Sequence, residues 1–307
     1  MAERVLPQSY AALVLLREMT RHIDGAQLKK VRKELNMDMV RELLHDRHLK
    51  IPAARLLVQI KGLLKVSELI HMLRMDDNDL RREILTIVRC FAYRHRNKMM
   101  EVADAVEVHG VEQTLAIVNP MLADISADAL PGRALDGAAL IIASLAFRSR
   151  SRFFVAERCI PGLARHWRRS DDPGIKYPIA KAIQYLCEDA RGRNTAVSEG
   201  VVAEFIRMLP PLNHEVDYSD FVFDDFFAFV TVPDTALKAL FYLSQHSTAL
   251  RQMVESGVVP AVRDMISTTQ LSDETKSKYA KRLLEVLSSS PEFRLRRLMT
   301  LYQSSAN

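Results

Sequence analysis

The chain has 307 residues, 48% of them hydrophobic and 26% charged, enough apolar material for a large core, which excludes wholesale disorder. Ten glycines and twelve prolines are too few for the turns of an all-β sandwich or barrel, and no apolar run reaches the roughly 18–20 residues of a membrane helix. The net charge of +5 is uneven: residues 1–100 carry 20 Lys and Arg against 12 Asp and Glu, the remainder 23 against 26, so an acidic partner is expected near the N-terminal third.

The opening MAERVLPQSY lacks the basic-then-apolar layout of a secretory signal. Cys90, Cys159 and Cys187 form no CxxC pair and sit among apolar neighbours. They read as small core residues of a reduced protein of the cytoplasm or nucleus.

In chain order, Ala11–His22, Ile51–Leu64 and Leu80–Tyr93 place apolar residues at three- and four-residue spacing, the period of amphipathic helices. From Gly110 onward the chain repeats itself. GVEQTLAIV from Gly110, CIPGLARHW from Cys159, GVVAEFIRML from Gly200 and GVVPAVRDMI from Gly257 lie 49, 41 and 57 residues apart. Each leads past a polar break into another amphipathic helix. Those helices end in LIIASLAFRSRSR, KAIQYLCEDARGRN, KALFYLSQHSTALR and RLLEVLSSSPEFR, and LTIVRCFAYRHRNK supplies a matching tail before Gly110. Two insertions widen the period: residues 119–132, and residues 210–233, which hold five Phe and Asp217, Asp220, Asp224 and Asp225.

Periods near 40–47 residues with two or three helices belong to the HEAT and armadillo class. The corners resemble armadillo repeats, in which a short first helix turns at a Gly into a second helix beginning with two aliphatics and often Pro. Val254-Glu-Ser-Gly257-Val-Val-Pro260 has that form, and Ala196-Val-Ser-Glu-Gly200-Val-Val nearly so. Gly is the residue that accepts a positive φ at such a corner; at the second landmark Cys159 stands in its place. The resemblance is closest over residues 152–290 and faintest over 1–65. It implies an all-α, right-handed α-solenoid of about five to six armadillo-like repeats. Residues 1–65 would be an N-terminal helical cap or degenerate repeat, 66–290 the array, and 291–307 a capping helix and tail.

In armadillo proteins the third helix of each repeat faces a concave groove that holds extended protein segments. The five tails align on Phe91, Leu145, Leu186, Leu243 and Leu287. Five residues before these anchors stand Thr86, Leu140, Lys181, Lys238 and Arg282; one residue before stand Cys90, Ser144, Tyr185, Tyr242 and Val286. Lys181 and Tyr185, and Lys238 and Tyr242, are four apart and share a helix face. The resemblance thus implies a partner-binding groove of Lys181, Tyr185, Lys238, Tyr242 and Arg282, suited to an acidic extended segment. The Trp and Asn ladder of importin-type armadillo proteins is missing from these positions, and the single Trp, Trp167, falls in a second helix.

Just past the third helices, Arg94, Arg96 and Lys98 recur as Arg148, Arg150 and Arg152, as Arg191 and Arg193, and as Arg294, Arg296 and Arg297. Cations there complement helix C-termini. The alternative is a basic edge for nucleic acid or anionic lipid, although no RNP-like, KH-like or zinc-finger signature accompanies it. In the longer insertion Phe221, Phe223, Phe226 and Phe227 are expected to pack over the solenoid, to lay their Asp neighbours on the groove cations as an internal ligand, or to dock a partner.

Enzyme signatures fail one by one: there is no GxGxxG, phosphate loop, GxSxG or HExxH. His45 and His48 lack further ligand types for a metal, and Asp76/Asp77 and Asp171/Asp172 sit at helix starts, where carboxylates cap. The expectation is a non-enzymatic, cofactor-free adaptor or regulatory scaffold.

Overall fold

The structure is a computed structural model and describes residues 2–21, 25–46, 48–59, 66–92, 96–123, 132–170, 173–209, 228–267 and 275–305. These residues are overwhelmingly helical, with no strand among them. They form two compact units, Met1–Ile141 and Ile142–Asn307.

Unit 1 opens with α1 (Ala2–Arg21), α2 (Gly25–Glu34), α3 (Met37–Glu42) and α4 (Lys50–Gln59). It continues through α5 (Val66–Leu73), α6 (Asn78–Ala92), α7 (Arg96–His109), α8 (Val111–Ala123) and the first part of α9 (Gly132–Phe147). The predicted apolar period of α6 is its buried face: Leu80, Ile84, Leu85, Ile87 and Val88 are all covered. Asp77 caps that helix, accepting from the Leu80 backbone N–H at 2.8 Å, and pairs with Lys50 at the start of α4. Arg55 of α4 grips Glu83 of α6 with two bonds of 2.7 and 2.6 Å. Arg89 joins α6 to the buried Asp136 of α9 at 2.8 Å.

Unit 2 contains the end of α9, then α10 (Ser149–Arg169), α11 (Pro173–Leu186), α12 (Ala190–Ser198) and α13 (Val201–Arg207). There follow α14 (Ala228–Leu243), α15 (Ser247–Glu255), α16 (Val258–Ser267), a π-helical turn (Lys276–Ala280), α17 (Lys281–Ser289) and α18 (Pro291–Ser305). Helix α14 packs on α11, α13 and α17, while α18 packs on α15 and α17. In the core Trp167 meets Phe205 edge-on, with ring centres 4.8 Å apart. Cys159 and Cys187 are free and fully buried, and burial pushes the Cys187 thiol well above the usual range.

Three of the four landmark corners turn at a glycine of positive φ: Gly110 at 100°, Gly200 at 69° and Gly257 at 74°. The fourth does not turn there. Where Cys159 replaces Gly, α10 runs unbroken from Ser149 to Arg169 through Pro161, so first and second helices merge. An L-residue resists the left-handed conformation by roughly 1–2 kcal/mol, and the helix simply continues. The longer insertion is also shorter than the sequence suggests. Helix α14 begins at Ala228 and takes in residues 228–233, with Pro233 inside it. Phe221, Phe223, Phe226 and Phe227 lie outside the described residues. Of residues 119–132, the first five extend α8.

Candidate binding surface on the third helices of unit 2

Helices α11, α14 and α17 bury one stripe each: Ile179, Ala182, Ile183 and Leu186; Ala236, Ala239, Leu240 and Leu243; Leu283 and Leu287. Side chains off these stripes form a surface of cations and aromatic rings. On α11 the Lys181 ammonium lies over the Tyr185 ring, 5.0 Å from its centre, as four-residue spacing dictates. On α14 the pairing differs from the expected one. The Lys238 ammonium sits 5.3 Å from the ring centre of Tyr279, which Lys278 also covers at 5.5 Å. Tyr242 is hydrogen-bonded to Tyr279, their rings 6.1 Å apart, and Phe241 meets both rings edge-on at 5.4 and 5.6 Å. Partial burial, then the bond to Tyr279, push the Tyr242 phenol above its ordinary range. Arg282 stands exposed on α17.

The surface continues past α11. Phe147 meets Tyr185 edge-on at 5.3 Å. Arg152 pairs with Glu188 at 2.8 Å, and the charges of both are felt by Tyr242. Two of the columns aligned in sequence are buried one helix earlier: in α9 Leu140 is 5% exposed and Ser144 fully covered. Tyr279 and Phe147 fall outside those columns. Tyr279 is delivered by the π turn, whose extra residue shifts the register and which a 3.6-residue period cannot register. No three His, Cys, Asp or Glu converge on a metal position among the described residues, and no described helix is long and apolar enough to cross a membrane.

No family model matches the sequence, and no curated protein matches it either. Solved structures do. A designed armadillo repeat protein superposes with a TM-score of 0.50 at 14% identity, covering 90% of this chain and 99% of its own. A second engineered protein gives a TM-score of 0.50 at 16% identity over 89% of this chain and 96% of its own. The fold is that of an armadillo-like α-solenoid.

Arg152, Arg193 and Arg296, three of the arginines at the repeat edge of this solenoid, are committed to helix ends. Arg152 and Arg193 each stand four residues past an N-cap, Arg148 and Asp189. Arg152 donates from Nε to the Ala146 carbonyl at 2.7 Å; Arg193 donates to the Cys187 and Glu188 carbonyls at 3.2 and 3.0 Å. Those carbonyls close α9 and α11 and have no donor within their own helix. Arg74, Arg168 and Arg296 do the same for the carbonyls of His109, Glu199 and Val254. Arg191 is exposed, 3.9 Å from Glu157, and Arg148 is half-buried. Arg96 opens α7 and Arg150 lies in the first turn of α10, whereas Arg94 lies outside the described residues. Unit 1 separately holds a cavity of about 310 Å³ between α6 and α8, lined by Arg81 and Arg82 above Ile117, Pro120 and Met121. Arg81 is held by Asn78, Asp76 and the Leu73 carbonyl, and Arg82 by Asp79.

Proposed function

We propose that this solenoid is a non-enzymatic binding scaffold that holds an extended, acidic segment of a partner protein along the α11–α14–α17 surface of unit 2. The observation that carries the reading is the set of lysines lying on tyrosine rings: Lys181 on Tyr185, and Lys238 and Lys278 on Tyr279. A ring under an ammonium fixes the direction of a long side chain that would otherwise lose rotamer entropy on binding. Carboxylates of a partner then meet cations already in place, and the half-buried rings of Tyr185 and Tyr242 offer flat apolar contact beside them. Exposed Arg282 extends the same preference along α17. The helix-end bonds of Arg152 and Arg193 give those two edge arginines a structural role, which supports the groove over a nucleic-acid or lipid reading.

The test is fluorescence anisotropy with a labelled peptide of alternating Glu and Ala, against its Lys and Ala counterpart. The Glu peptide should bind, weaken with added salt, and lose about tenfold or more in affinity to a Lys181→Glu/Lys238→Glu variant shown by circular dichroism to be folded. Equal binding of the Lys peptide, or undiminished binding by the variant, would refute the proposal.

A further inference from the structure

The cavity of about 310 Å³ between α6 and α8 takes part in neither the groove nor the helix-end bonds, and its two walls differ in chemistry. Asn78, Arg81 and Arg82 of α6 form a polar wall; Ala116, Ile117, Pro120 and Met121 of α8 face them. The volume is at the lower end of the range of ligand pockets, room for one amino-acid residue and part of the next.

Arg81 is locked in place. Its side chain is 17% exposed; Nε donates to the Leu73 carbonyl at 3.3 Å and Nη1 to Asn78 Oδ1 at 3.2 Å. A guanidinium has five N–H donors in a fixed fork, so Nη2 keeps both of its own to give. Asn78, with Oδ1 on Arg81, likewise keeps its amide N–H groups. The nearest acids stand outside. Asp76, 3.4 Å from Arg81, and Asp79, 3.3 Å from Arg82, are exposed to solvent, and neither lines the cavity. Ion pairs that wet are worth little, and the cavity wall itself carries cations and no carboxylate.

The opposite wall offers an acceptor. Pro120 stands inside α8; proline has no N–H, and its ring crowds the carbonyl four residues back. That carbonyl belongs to Ala116, exposed and on the cavity wall, so it lacks its helical donor. Beside it Ile117 and Met121, four apart and half-buried, make an apolar strip. A ligand that complements both walls brings a carboxylate for Arg81 and Asn78, an N–H for Ala116 and an apolar side chain for Ile117 and Met121. The carboxyl-terminal residue of a peptide has all three; a phosphate group has neither the N–H nor the side chain. We infer that this cavity takes the free C-terminus of a partner protein that ends in an apolar residue. The site lies in unit 1 and is independent of the groove on α11, α14 and α17.

The full chain is titrated with a short, N-terminally labelled peptide of Gly, Ser and Ala ending in Leu, its C-terminus either free or amidated. The free acid should bind, and the amide about tenfold or more weaker, because it cannot form charge-assisted bonds to Arg81. Arg81→Gln should weaken the free acid by about tenfold or more and the amide hardly at all. Pro120→Ala returns the missing N–H to the Ala116 carbonyl. It should weaken binding about threefold or more while raising the melting temperature, since proline is the poorest residue inside a helix. The folded Lys181→Glu/Lys238→Glu variant should bind the free acid as the parent chain does. Equal binding of acid and amide, or undiminished binding by either Arg81→Gln or Pro120→Ala, would overturn the inference. So would loss of binding in the Lys181→Glu/Lys238→Glu variant, which would assign the peptide to the groove. Competition by free leucine as strong as by unlabelled peptide would also sink it, because the ligand would then be a free amino acid.

Discussion

The third helices α9 and α11 carry the same columns in sequence and use them in opposite ways. In α11 the two positions are Lys181 and Tyr185, half-buried and stacked on each other. In α9 they are Leu140 and Ser144, both buried. The cause lies in how closely each helix is approached. At Gly137 a Cβ would come within 1.8 Å of the Leu85 carbonyl oxygen of α6, so α6 and α9 touch through their backbones. Ala134, Ala138 and Ala139 around that contact are fully buried. Where helices meet this closely, a groove column becomes core. A shared register therefore predicts a face only when the spacing to the neighbouring helix is also shared.

Exchanging the columns tests this directly. Leu140→Lys/Ser144→Tyr would place an ammonium and a phenol ring in space now filled by a buried isobutyl group and a hydroxymethyl group. The loss should reach about 4 kcal/mol or more, or prevent folding, because a buried charge and an overpacked ring each cost several kcal/mol. Urea unfolding followed by circular dichroism would measure it. A loss below about 1 kcal/mol would mean that α9 has an open face. Next in size is Gly137→Ala, which forces a methyl against backbone that no side-chain motion can relieve; about 3 kcal/mol is expected from a lower urea midpoint at unchanged slope. The reverse exchange, Lys181→Leu/Tyr185→Ser, should cost only about 1–2 kcal/mol, the worth of a half-buried ring, its edge contact with Phe147 and one cation–π pair. Equal losses from the two exchanges would erase the distinction between the helices.

Much of the fold was legible because few residues can do certain jobs. A corner of positive φ needs glycine, so Gly110, Gly200 and Gly257 announced theirs, and the Cys159 substitution pointed to the corner that proved to be continuous helix. The buried stripes of α6, α11 and α14 followed from period alone. The pair Lys181 and Tyr185 was legible for the same reason, since four residues along one helix fix their contact. The partner of Lys238 was not. Local spacing nominated Tyr242, but the ring beneath Lys238 belongs to Tyr279 on the next third helix, turned inward by a π turn. Contacts between helices depend on spacing and register that no single-helix period encodes.

The smallest expected effect is silent at neutral pH and isolates the α14 side of the comparison. Partial burial and the bond to Tyr279 hold the proton on Tyr242 more tightly in the folded chain than in the unfolded one. A group whose folded pKa is raised contributes stability that is complete below its unfolded value, about 10 for tyrosine, and is lost as pH climbs from there toward the folded value. Stability should therefore be level through neutrality and fall above about pH 10. Tyr242→Phe keeps the ring against Phe241 and Tyr279 but removes the proton, so it should flatten that fall while costing about 1 kcal/mol at pH 7 for the lost hydrogen bond. If the alkaline fall persisted undiminished in Tyr242→Phe, the proton held by Tyr242 would not be its source, and the claim that Tyr242 and Tyr279 act as one packed unit would fail.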